Sequence, residues 1–194
     1  MAPLTPRQVA VRAQEMAALL LNLLERDGVV ARFLNSYARE AKRPGRTANP
    51  ERFRELVETI RRESLVVVVL VAEHEIPVRI GVRPGRRSTP EQASLVKLFR
   101  DEFYAALRRS LRWGDEDFAA FSRDMELYRR LYGTLPAPGR SRAAGDAPKG
   151  PFVDRCGILL DPSMLDLARR AAAKFEAELI SSASSRMKKI FARR

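Results

Sequence analysis

Two amphipathic helices in series, between Thr89 and Tyr132, constrain this chain more than any other stretch. Thr89-Pro90-Glu91-Gln92 reads as a helix start. Threonine caps, proline suits the first helical position, and Gln92 can reach back to close a capping box. Leu95, Phe99, Phe103, Ala106 and Leu107 follow at three- and four-residue steps and so share one face. The spacing predicts that Gly114 stops this helix in a left-handed cap, where a residue without a Cβ meets no clash. Asp115 then starts a second helix, with Glu116 and Asp117 in its positive first turn and Arg129 and Arg130 at its negative end. Phe118, Phe121, Met125, Tyr128 and Tyr132 form its stripe. The pair holds most of the aromatic residues, which makes it the expected core.

The other segments read mostly as helix. Thr5-Pro6-Arg7-Gln8 repeats the capping pattern, and Val9, Ala13, Met16, Leu20, Leu23 and Leu24 follow at helical spacing until Gly28, predicting a helix over 5–27. A second helix is expected from Val29 to Lys42, ended by Pro44-Gly45, and a third opens at Asn49-Pro50 with Phe53, Leu56, Val57 and Ile60 inward. Residues 65–72 are an unbroken, valine-rich apolar run, in which periodicity does not separate a buried helix from a buried strand. Two readings stay open. In one the third helix continues to about His74; in the other 65–72 and 78–83 form a hairpin. With no third strand in sight, a lone hairpin is marginal, and the helix is favoured.

Pro136, Pro138, Gly139, Gly145, Pro148 and Gly150 mark a flexible linker over 134–150. Beyond it come a short apolar approach, Phe152 to Leu160, and a last helix capped by Asp161-Pro162, with Leu165, Ala168, Ala172, Phe175 and Leu179 facing the core. Its second half changes character. The serine-rich stretch 181–185 is weakly helical, and Arg186 to Arg194 carries five positive charges and no acid. The expected organisation is a mainly α protein: a multi-helix bundle over 1–133, the linker 134–150, and a long C-terminal helix over 151–194 that docks on the bundle and ends in a basic tail at 181–194. A small hairpin at 65–83 would make it α+β instead.

The apolar fraction of 45% suffices for a real core, and the net charge of +12 with a pI near 10.7 points to anionic partners. Of the 36 basic residues, 30 are arginine. Arginine suits bidentate phosphate contacts, though an arginine-rich composition alone would produce the same count. Cys156 is the single cysteine, so no intramolecular disulfide forms and a cytoplasmic location is expected. No run is long and apolar enough to predict a membrane span, so no integral membrane association is expected.

Enzyme chemistry finds little support. One cysteine and one histidine do not make the usual zinc sites, and His74 lacks the Glu-x-x-His context of a di-iron bundle. His74 is also the only base a hydrolytic triad could use, and it reads better as a helix-end or turn residue. The acidic trio at 115–117 fits a helix start better than Mg²⁺. No Walker or dinucleotide loop is present. The sequence therefore implies no cofactor, no metal and no catalytic residue.

Basic clusters are the remaining functional signal. Arg79, Arg83, Arg86 and Arg87 fall within nine residues free of acid, and Arg108, Arg109 and Arg112 lie on the helix just downstream. If that helix folds back beside the loop, the two groups would merge into one phosphate-binding patch. Arg186, Lys188, Lys189, Arg193 and Arg194 would act as a second, tail-like contact. The expected function is sequence-tolerant binding of nucleic acid through its phosphate backbone, as a subunit of a nucleoprotein assembly. The alternative is a protein-interaction or scaffold module whose C-terminal helix serves an acidic protein partner or a second copy, with no nucleic acid.

Overall fold

The computed structural model describes residues 4–25, 28–41, 50–82, 87–132 and 150–192. These residues form seven α-helices, α1 (Pro6–Glu25), α2 (Val29–Glu40), α3 (Pro50–Arg79), α4 (Pro90–Leu111), α5 (Asp115–Tyr132), α6 (Pro151–Leu160) and α7 (Leu165–Ala192), with a 3-10 turn (Pro162–Met164) before the last. No strand occurs among them. The expected linker lies outside the described residues except for Gly150.

The centre of the bundle is α3, not the α4–α5 pair expected to organise the core. Every residue from Leu65 to Ala72 is at most 5% exposed, and α3 packs against all six other α-helices. A helix apolar all round has to be covered all round. The hairpin reading is thereby excluded. Valine costs up to about 0.7 kcal/mol of helix propensity per residue, while burying its side chain contributes about 1.5–3 kcal/mol. As helix, the segment also meets its own backbone hydrogen bonds. It runs past His74 to Arg79, with Pro77 in its last turn, where little helix remains for the missing N–H to disrupt. Gly81, at φ +97°, closes it: its N–H bonds the Val78 carbonyl and that of Val82 bonds Pro77, a Schellman turn.

Local signals set the other helix ends. Both capping boxes form, Thr5 with Gln8 and Thr89 with Gln92. Gln92 Nε2 also donates to the Gly81 carbonyl at 3.0 Å, which ties the start of α4 to the end of α3. The left-handed cap of α4 is Arg112 (φ +54°), not Gly114. Its N–H bonds Arg109 and that of Trp113 bonds Arg108, a second Schellman turn. Gly114 instead caps α5, donating its N–H to Asp117 Oδ2 at 3.1 Å.

One hydrophobic cluster draws side chains from α1 through α7. The apolar approach to the last helix is itself helical, and Phe152, Val153 and Cys156 of α6 are buried. The expected basic tail is also corrected. α7 continues through the serine-rich stretch to Ala192 and buries Ala183, Ser184, Met187, Ile190 and Phe191. Phe191 lies 6.0 Å from Phe99 of α4, and Arg12 of α1 donates to the Ile190 carbonyl at 2.7 Å. A cation at a helix C-terminus also meets the negative end of the helix dipole. Apolar contacts at three- and four-residue steps hold the last turns as helix despite weak serine propensity.

Two stability outcomes follow. Phe191→Ala should lower unfolding free energy by about 3 kcal/mol, read as a fall in the urea midpoint; a free tail would leave it unchanged. Arg112→Gly should raise the unfolding free energy by about 0.5–1 kcal/mol, read as a rise in the same midpoint, because glycine relieves the left-handed strain but adds unfolded-state entropy.

Candidate nucleic-acid interface

The interhelical contacts sort the basic residues into two halves of the bundle. α1 and α4 run side by side in the same direction, with Gln14 on Glu102 near their middles and Leu21, Leu24 and Leu111 together near their ends. α7 runs the other way and finishes beside the first half of α4, where Phe191 meets Phe99. Lys188 and Lys189 are exposed on that last stretch, Arg87 is exposed just before α4, and Lys97 and Arg100 are exposed on its first turns. Exposed Glu91 and Asp101 partly oppose this field.

Among the described residues, the two arginine groups do not merge. Arg87 precedes α4, while Arg108, Arg109 and Arg112 stand at its other end. Its 22 residues hold them roughly 33 Å apart at about 1.5 Å per residue. Two of the expected contacts are also engaged by acids. Arg79 pairs with Glu75 at 2.7 Å. Arg108 pairs with Asp115, donates to the Trp113 carbonyl and lies over the Phe118 ring, so it serves the α4–α5 turn. Arg186 is half-buried and already engaged by a neighbour. Arg109 and Arg112 are exposed. Arg83, Arg86, Arg193 and Arg194 lie outside the described residues. The apolar stripe of α7 sits in the core, and Met187, Ile190 and Phe191 are buried with it.

Sequence reading missed two polar brackets on α3, one built on a buried carboxylate and one on a half-buried carboxylate. Glu63, 5% exposed, accepts from the Tyr128 hydroxyl of α5 and pairs with Arg155 of α6 at 3.2 Å. Glu73 accepts from the Tyr104 hydroxyl of α4 at 2.7 Å and from Arg129 of α5 at 2.8 Å. A carboxylate flanking an apolar run, and an arginine inside the apolar segment 151–160, were the available signals. The brackets join α3 to α4, α5 and α6. His74, next to Glu73 in sequence, is exposed. Burial and the adjacent carboxylates push both phenols far above their ordinary value of 10. Burial, then Glu63 and Glu176, raise the Cys156 thiol as well, which keeps it protonated and unreactive. Among the described residues, no helix is long and apolar enough to cross a membrane, and no group of three or more potential metal ligands gathers.

Comparison with protein-family models, curated proteins and solved structures found no match to this chain.

The brackets set an alkaline limit on stability. Below pH 10 both folded and unfolded chains keep the phenol protons. Above it the unfolded chain releases them while folded Tyr104 and Tyr128 do not, so stability falls as pH rises. Unfolding free energy measured in urea should decline beyond pH 10, and less steeply in Tyr128→Phe. At neutral pH that variant should lose about 1.5–3 kcal/mol, since it removes a hydrogen bond to a buried carboxylate.

Proposed function

We propose that the protein binds nucleic acid through the sugar–phosphate backbone, without reading bases, on the half of the bundle where α7 ends and α4 begins. The supporting observation is the docking of the last turns of α7. Met187, Ile190 and Phe191 are buried there, Phe191 against Phe99 of α4, which leaves Lys188 and Lys189 exposed on a docked helix, while Lys97 and Arg100 are exposed on α4 to either side of Phe99 in sequence. Among the described residues, no carboxylate pairs with Arg87, Lys188 or Lys189, whereas Arg79 and Arg108 are paired. A helix that is already formed has no backbone to order on binding, and each phosphate its cations neutralise releases a counterion. The net charge of +12 extends the attraction beyond contact range. Backbone contacts of this kind position a strand or duplex and carry no sequence information.

The reading is tested by titrating labelled duplex and single-stranded oligonucleotides of unrelated sequence over a range of salt. Affinity should fall steeply with salt and vary little with sequence. Lys188→Ala combined with Lys189→Ala should weaken binding and reduce the log–log salt slope on duplex by about 2. Arg109→Ala with Arg112→Ala, at the other end of α4, should change it less. Salt-independent binding, no binding, or equal competition by polyglutamate would overturn the proposal, the last in favour of an acidic protein partner.

A further inference from the structure

At the opposite end of α4 from Arg87, the ends of α1 and α4, the middle of α3 and the start of α5 enclose an open groove of about 420 Å³. Leu24, Leu65, Leu111, Trp113 and Phe121 supply its apolar wall. Trp113 and Phe121 meet with ring centroids 4.8 Å apart and planes tilted by 42°. The Schellman turn at Arg112 fixes the backbone of Trp113, whose ring stays half-buried.

The charges on the rim are unevenly used. Arg61 is turned to Glu58 at 2.6 Å and Arg62 to Asp124 at 3.1 Å. Glu25 and Asp117 also border the groove and are exposed. One oxygen of Asp117 caps α5. No cation among the described residues pairs with either carboxylate. The remaining charge of the groove is therefore negative, on a chain whose net charge is +12.

We propose that this groove binds a small organic cation, a ligand with an aromatic or branched apolar body and one ammonium group. The volume falls in the range of small-molecule sites. Ring faces attract cations, tryptophan most strongly, and the two carboxylates oppose an anionic or phosphate-bearing ligand. The groove thus lies outside the surface proposed for nucleic acid, and neither proposal depends on the other.

Trp113 is the only tryptophan, so its fluorescence reports on the groove alone. The full chain is titrated with benzyltrimethylammonium, with neopentylbenzene as its uncharged isostere and with phenylacetate as an anion of similar size. A saturable change is expected for the ammonium, a weaker response for the hydrocarbon and none for the anion. Glu25→Gln and Asp117→Asn should each weaken the ammonium about two- to fivefold, as expected for exposed charge pairs. Asparagine can still accept the Gly114 N–H, so the turn persists, and circular dichroism of the variants confirms the fold. The proposal fails if the ammonium gives no saturable change, if neopentylbenzene binds as tightly, or if the double variant keeps full affinity.

Discussion

Removal of the middle of α3 from water on every side is the constraint that the rest of this structure answers. A helix with one apolar stripe needs one neighbour, whereas Leu65 to Ala72 has no face to give to solvent. Six helices surround it. They come from both sides of α3 in sequence, so neither flank of the chain completes the core by itself. The aromatic residues of α4 and α5 are in the core as their spacing implies, but as part of the wall around α3.

A purely apolar contact surface specifies register weakly, because one valine fits much like the next. Glu63 and Glu73 supply that register. They flank the dry segment about 15 Å apart along the helix, and each is held by a tyrosine and an arginine from neighbouring helices. α5 contributes to both brackets through the adjacent residues Tyr128 and Arg129, and so is located twice. Such groups contribute little net stability against an apolar replacement. Losing one partner is costly, because the other is left buried and unmatched. Their value is positional: a shift of α5 by one residue would break both brackets together.

What could be read from the sequence was local. Thr5 with Gln8 and Thr89 with Gln92 carry their whole mechanism within four residues, so both caps were legible. Stripes such as Phe99, Phe103 and Leu107 were legible for the same reason. The valine run was not, since it has no polar face to set a period, and its conformation depends on six distant helices. Arg112 took the left-handed position beside an available glycine because the Schellman bonds from Arg112 and Trp113 set the turn two residues earlier. Lys188 and Lys189 looked like part of a loose tail because three apolar residues among five cations are too few to hold a helix unaided. Phe99 and Arg12, far away in sequence, supply what is missing. Arg79 and Arg87 do not meet Arg108, Arg109 and Arg112, for a reason already present in the sequence. The helix predicted between them is a stiff rod, and groups at its two ends do not meet.

The bond from Arg12 to the Ile190 carbonyl spans 178 positions, and it has a consequence for how the chain is made. During translation α1 emerges before α7, with an apolar face whose partners on α7 do not yet exist. Until those arrive, Leu23, which lies with Phe175 and Leu179, stays partly uncovered, and the nascent chain is open to chaperones and to self-association. Closure of the bundle is therefore a late event, with the long-range contacts that slow folding, and a ribosome stalled short of α7 would release a polypeptide without a finished interior.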